Sequence, residues 1–173
     1  MVNHPDPGWI EYLKNYGATP LAGDLRDPIF LSDLFLGVNA VIISPIFLPT
    51  GKIGQIGIFN LINEATITGV LRLVFLSFAD PHEENIAQDK TNIEQWIIKS
   101  GVSYTILHAG VHPDLVNGSI TQPNRQAMIK DLARWVTCAL QDPQQLNAIV
   151  EPGNPAGDPG ESMPVEIITG HLI

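Results

Sequence analysis

Gly51, Gly54 and Gly57 recur at a constant interval in the stretch Thr50-Gly51-Lys52-Ile53-Gly54-Gln55-Ile56-Gly57. Glycines let backbone amides approach a phosphate, and a helix starting behind them turns its positive end toward the anion. Lys52 adds a positive charge. Pro45 and Pro49 separate the motif from the apolar run before it, unlike the tight turns that grip phosphates. Two readings follow: a phosphate-binding turn, or a flexible loop whose glycines start a helix. His108 and His112 form a second group, spaced i, i+4 with Asp114 close behind. Zinc wants that spacing on a rigid helix with a third ligand. Gly110 and Pro113 put the pair on a loop, so no metal site is expected. The acidic residues Asp80, Glu83 and Glu84 read as a solvated loop. Cys138 falls inside a helical pattern with no basic neighbour, which predicts an inert, packed thiol.

The elements that must position these residues alternate. A first helix is expected behind Asp6 and Pro7, with Trp9, Ile10, Leu13 and Tyr16 on one face and Gly17 as its stop. Ala18–Ala22 reads as a short strand, irregular or at an edge because Pro20 lacks an N–H. Gly23-Asp24-Leu25-Arg26-Asp27-Pro28 forms a turn, which Asp24 would cap, into a second helix at about Ile29–Leu36. Val38–Ile43 reads as a strand buried on both faces. A Pro/Gly-rich loop, Ser44–Gly57, leads to a helix at about Ile58–Thr68, closed by Gly69. Val70–Phe78 is the next buried strand. Asp89–Ser100 is amphipathic through Ile93, Trp96 and Ile97. Tyr104–Leu107 is a third buried strand, and a loop follows to about Asn124. Ala127–Leu140 is a helix with Met128, Leu132, Trp135, Val136 and Leu140 on one face. Ala148–Val150 is a short strand, Glu151–Pro164 is a Pro/Gly-rich stretch, and Val165–Ile173 is too short to classify. Strands alternating with helices predict an α/β fold with a parallel sheet.

The 173 residues suffice for one domain, and a 45% apolar content supports a packed core. Eighteen acidic against nine basic residues give a net charge of −9, which disfavours nucleic acid as a partner. No apolar run approaches the roughly 18 residues of a membrane span. A single cysteine and the lack of a visible signal peptide fit a cytoplasmic setting.

Several stretches, taken in order, resemble the NmrA-like family of atypical short-chain dehydrogenase/reductases. Gly23–Pro28 and Gly37-Val38-Asn39-Ala40-Val41-Ile42-Ile43-Ser44-Pro45 are similar to that family's third and fourth strand regions. Gly69-Val70-Leu71-Arg72-Leu73-Val74-Phe75-Leu76-Ser77 continues the match. Glu94-Gln95-Trp96-Ile97-Ile98-Lys99-Ser100-Gly101-Val102-Ser103-Tyr104-Thr105-Ile106-Leu107-His108-Ala109-Gly110 carries it further. Ile129-Lys130-Asp131-Leu132-Ala133-Arg134 and Leu140-Gln141-Asp142-Pro143 resemble a late helix of the family.

The resemblance implies an incomplete Rossmann-like parallel sheet flanked by helices. Residues 1–150 would form a partial NAD(P)-binding domain and residues 151–173 a Pro/Gly-rich C-terminal segment. The family opens with a strand and a T-G-x-x-G-x-x-G turn for the dinucleotide pyrophosphate. Here Val2-Asn3-His4-Pro5 matches the end of the family's second strand. The matched part is therefore the middle of such a protein, and the strand Val38–Ile43 would have an open edge that a protein partner or a second copy could cover. Asn3 or His4 stands where NADP-preferring members carry a basic residue, so NADP and NAD both stay open. By resemblance Asp24 and Leu25 would contact the adenine, and Ser44 and Pro45 would border the cofactor crevice.

Ser77 would be the catalytic serine and Lys90 the lysine that holds the nicotinamide ribose. Ile86 stands four residues before Lys90, where the family's catalytic Tyr would be. His108 or His112 would then replace the missing acid, a role open to histidine as a residue type. The implied activity is hydride transfer to a small carbonyl or conjugated substrate. The alternative is a non-catalytic dinucleotide-sensing or scaffold protein that acts through a protein partner.

Overall fold

The computed structural model describes residues 7–44, 52–77, 84–108, 122–143, 146–152 and 165–168. Its helices are α1 (Pro7–Asn15), α2 (Pro28–Leu34), α3 (Lys52–Ile67), α4 (Glu84–Lys99) and α5 (Gln122–Gln141). Its strands are β1 (Ala40–Ile43), β2 (Arg72–Leu76), β3 (Tyr104–Leu107), β4 (Ala148–Pro152) and β5 (Val165–Ile168). They form one sheet in the order β1-β2-β3-β4-β5. The first four strands are parallel, and β5 runs antiparallel to β4. Among the described residues no helix is long and apolar enough to cross a membrane.

The period-2 alternation of strand side chains divides the core in two. Leu73 and Phe75 of β2 and Ile106 of β3 pack with Leu31, Ile58, Ile62, Ile93 and Ile97 from α2, α3 and α4. Val74, Leu76 and Leu107 face the other way, against Ala139 of α5 and Ala148 and Val150 of β4. Leu132, Trp135, Val136 and Leu140 of α5 pack on this second cluster. The apolar runs of β2 and β3 thus reflect burial on both faces.

Several expectations change. Ala18–Ala22 is not a strand: Pro20 cannot donate to a ladder, and among the described residues no strand pairs with it. β1 is shorter than Val38–Ile43, and Ile42 is 49% exposed. An edge strand lacks a neighbour on one side, and among the described residues nothing pairs with the outer edge of β1. Three helices begin earlier than their apolar stripes imply. α3 starts at Lys52 rather than Ile58, α4 at Glu84 rather than Asp89, and α5 at Gln122 rather than Ala127. In α3 the added turn is rich in glycine, and the buried Gly54 and Gly57 have no side chain to mark an apolar stripe. Glu84 opens a helix, while Asp80 and Glu83 lie outside the described residues. β4 continues to Pro152, and Val165–Ile168, too short to classify from sequence, joins the sheet. Cys138 is exposed, not packed, because the residue after it, Ala139, is the one that faces the sheet. Gly69 closes α3 at φ +73°, and the following Val70 N–H reaches back to the Ala65 carbonyl at 2.9 Å.

Candidate functional site

Parallel sheets place their polar sites at the carboxyl ends of the strands, where loops leave the ladder. Here the ladder runs one residue past β2 and β3. The Ser77 N–H donates to the Leu107 carbonyl at 2.8 Å, and the His108 N–H donates to the Val150 carbonyl at 2.9 Å. Ser77 and His108 are thereby fixed side by side at the carboxyl edge. α4 crosses above them, held by Ile93 and Ile97, which are buried against the sheet. Lys90 and Glu94, one helical turn apart, are carried on the same helix.

Three side chains converge on one oxygen. The Ser77 hydroxyl donates to Glu94 Oε1 at 2.5 Å, His108 Nε2 lies 3.1 Å from the same atom, and Lys90 Nζ lies 4.0 Å from it. On its other side, His108 Nδ1 stands 3.6 Å from Glu151 Oε1 at the end of β4. The Glu94 side chain is only 14% exposed, whereas that of Glu151 is 51% exposed. Burial, the largest single influence, pushes the Glu94 carboxyl up. Hydrogen bonds from His108 and Ser77, with the charges of His108 and Lys90, together outweigh it, and the carboxyl titrates below the ordinary glutamate range. Next to this cluster, Gln55 of α3 donates to Asp89 of α4.

The Asp24–Leu25 turn is a different kind of place. The Arg26 guanidinium grips the Asp24 carboxylate through Nε at 2.9 and 3.0 Å and Nη2 at 2.5 Å, and the Arg26 N–H donates to Oδ1 at 2.9 Å. These bonds, the side-chain ones foremost, hold the Asp24 carboxyl down to about 2. Both side chains are about half exposed. Asp24 does organise the turn, and Asp27 caps α2 through Ile29 N–H and Phe30 N–H. The Leu25 carbonyl accepts from Asn60 Nδ2 at 3.3 Å.

The glycine motif does not form one turn. Gly51 lies outside the described residues, and Gly54 and Gly57 lie inside α3. Only the first four N–H groups of a helix lack an internal partner, so the Gly54 N–H is open to an anion and the Gly57 N–H is not. Gly57 has a packing role instead: a Cβ there would sit 3.0 Å from Leu25 Cβ. Ser44 follows β1 at the carboxyl edge, half-buried. Pro45, His112 and Asp114 lie outside the described residues. No cluster of three or more groups suited to a metal ion occurs among the described residues.

Sequence reasoning singled out Ser77, Lys90 and His108 but missed the residue that joins them, Glu94, and also Glu151. The signal for Glu94 is present. Lys90, Glu94 and Ile97 follow i, i+4, i+7 along the sheet-facing stripe, so a charged pair interrupts an apolar ridge. Glu151 gives no such signal, because its neighbourhood is set by the pairing of β3 with β4.

No protein-family model and no curated protein matches the sequence. Solved structures do. The triphenylmethane reductase of Citrobacter sp., complexed with NADP(H), superposes with a TM-score of 0.51 at 20% identity, over 63% of this chain and 39% of the reductase. A nucleoside-diphosphate-sugar epimerase from Staphylococcus aureus gives a TM-score of 0.54 at 18% identity, over 74% of this chain and 52% of the epimerase. The fold is Rossmann-type α/β. At these identities the likeness establishes architecture alone, and the chain accounts for less than two thirds of the length of either neighbour.

Proposed function

We propose that this chain is an NAD(P)-binding domain of reductase type, of the NmrA-like kind, and that the Ser77–Glu94–His108–Lys90 cluster is its nicotinamide end. The observation that carries the reading is the convergence of Ser77, Lys90 and His108 on Glu94 Oε1 at the carboxyl edge of parallel strands. Rossmann-type sheets bind dinucleotides along that edge. The side chains suit a ribose diol: the Lys90 ammonium donates, and the Glu94 carboxylate accepts. The Asp24–Leu25 turn would meet the adenine, with Ser44 and the first turn of α3, through Gly54, between the two ends. NADP and NAD are both compatible.

The dinucleotide, when bound, supplies or takes up a hydride. The chain's own residues hold the geometry and the proton. Ser77 is fully buried and donates its hydroxyl to Glu94, so it positions the carboxylate rather than touching substrate. Glu94 orients the imidazole, and His108 gives a proton to the oxygen of a small carbonyl or conjugated substrate. One observation favours a second reading, a dinucleotide-sensing or scaffold protein without turnover. Ile86 leaves no tyrosine one turn before Lys90, and Ser77 is already committed. The open edge of β1, with Ile42 half exposed, is where a protein partner or second copy would add a strand. The single cysteine supports a cytoplasmic setting.

Calorimetric titration of the folded chain with NADPH and NADH tests the common core of both readings. Binding is expected, weakened roughly ten- to hundredfold in Lys90→Ala through loss of a charge-assisted contact. A folded chain that binds neither dinucleotide overturns the proposal. Binding with carbonyl reduction that His108→Gln abolishes selects the reductase, and binding without turnover selects the sensor.

A further inference from the structure

His108 is flanked by a carboxylate on each ring nitrogen, and the two are unlike. An ionised carboxylate only accepts hydrogen bonds, so Nε2, 3.1 Å from Glu94 Oε1, carries its hydrogen in both the neutral and the charged imidazole. The proton that comes and goes is then the one on Nδ1. That nitrogen stands 3.6 Å from Glu151 Oε1. A neutral ring would set its lone pair against the Glu151 carboxylate, whereas a charged ring sets an N–H there. Lys90, on α4, is the one cation among the described residues beside the cluster, and it opposes the charged ring through Glu94 Oε1. Ser77, from the end of β2, is neutral and bonded to Glu94.

We propose that Glu151 is a positioning residue that holds the exchangeable proton on His108 Nδ1 and links it to solvent, so that the imidazole works from the β3–β4 side. Glu151 is half exposed and Glu94 is largely enclosed, which gives the relay a wet end and a dry end. The inference rests on the reading of His108 as the proton donor. In the reducing direction the Nδ1–H bond breaks and an O–H bond forms on the substrate carbonyl. A reduced nicotinamide dinucleotide, when bound, would supply the hydride to the carbonyl carbon and be oxidised in turn. The ring is left neutral with its hydrogen on Nε2, and water beside Glu151 returns the proton. A substrate therefore approaches over β4, on the side away from β1.

Long-range proton–nitrogen correlation spectra of the full chain, with no dinucleotide added, test this directly. His108→Asn assigns the His108 signals among the five histidines. The neutral ring is expected as the Nε2–H form in both wild type and Glu151→Gln. At about pH 6.5 the charged-to-neutral ratio of His108 should fall in Glu151→Gln by roughly two- to fivefold, the range for a half-exposed ion pair. Glu151→Asp should restore part of it. In wild type, raising salt to about 1 M should reproduce much of the loss, since screening reaches an exposed carboxylate, and this holds even if a variant fails to fold. An unchanged charged share in Glu151→Gln, an Nδ1–H neutral form in wild type, or no response of the wild type to salt overturns the inference. None of these readouts needs a bound dinucleotide, so failure to bind one refutes the proposed function and leaves this result standing.

Discussion

Asp24 and Glu94 are both carboxylates held below the ordinary acid range by basic neighbours, yet they are built in opposite ways. Asp24 meets Arg26 two residues away, half exposed, within one turn. Glu94 meets Ser77, His108 and Lys90 from three elements, beneath a helix, with 14% of its side chain exposed. The first pair is a local device that would form wherever the turn forms. The second exists only when β2, β3 and α4 are all in place. Water screens the first and not the second, so the same chemical grip carries different weight. A long-range, enclosed carboxylate that gathers a hydroxyl, an imidazole and an ammonium is a place where chemistry can be done. An exposed, saturated one organises a loop.

The largest test of that contrast is Glu94→Ala. It strips the acceptor from an enclosed hydroxyl and an imidazole at once, and should cost about 2–3 kcal/mol of stability in denaturant unfolding. Ser77→Ala removes one hydrogen bond to a charged group and should cost about 1.5–2 kcal/mol in the same experiment. Acid titration comes next. The Glu94 carboxyl titrates lower in the folded chain than its unfolded value of 4.5, so the folded state binds fewer protons there. Its contribution is complete above that value and is lost as pH falls below it toward the folded value. Glu94→Gln should flatten the acid limb of stability in that window, as followed by circular dichroism. The smallest effect belongs to Asp24→Asn, which should leave the neutral-pH melting temperature within experimental scatter. It should change the acid limb only between 3.8 and about 2. A Glu94→Ala variant as stable as Asp24→Asn would erase the distinction between the two sites.

The central strands and the helices were legible in the sequence because burial writes a period. Tyr104–Leu107 has the limits its apolar run suggests, since both of its faces are covered. The α5 stripe Leu132, Trp135, Val136 and Leu140 meets the sheet as its spacing implies. What was not legible depended on neighbours. Ile42 looks like core residues of β2 in sequence but lies on an edge strand. The first turns of α3, α4 and α5 are set by chain geometry, not by apolar spacing. Gly57 resembled part of a phosphate turn, whereas its lack of a Cβ serves contact with Leu25. Ser77 and His108 could be placed because they end apolar strands. Glu151 could not, because only the β3–β4 register brings it to the imidazole.

The central claim is that the carboxyl ends of β2 and β3 receive the nicotinamide end of a dinucleotide. Amide chemical-shift mapping on the nitrogen-labelled chain during NADPH addition tests it most directly. The account predicts the largest changes at Ser77, Lys90, Glu94 and His108, with Arg72 and Tyr104 at the opposite ends of the same strands unmoved. Changes confined to those opposite ends, or none anywhere in a folded chain at millimolar NADPH, would contradict it.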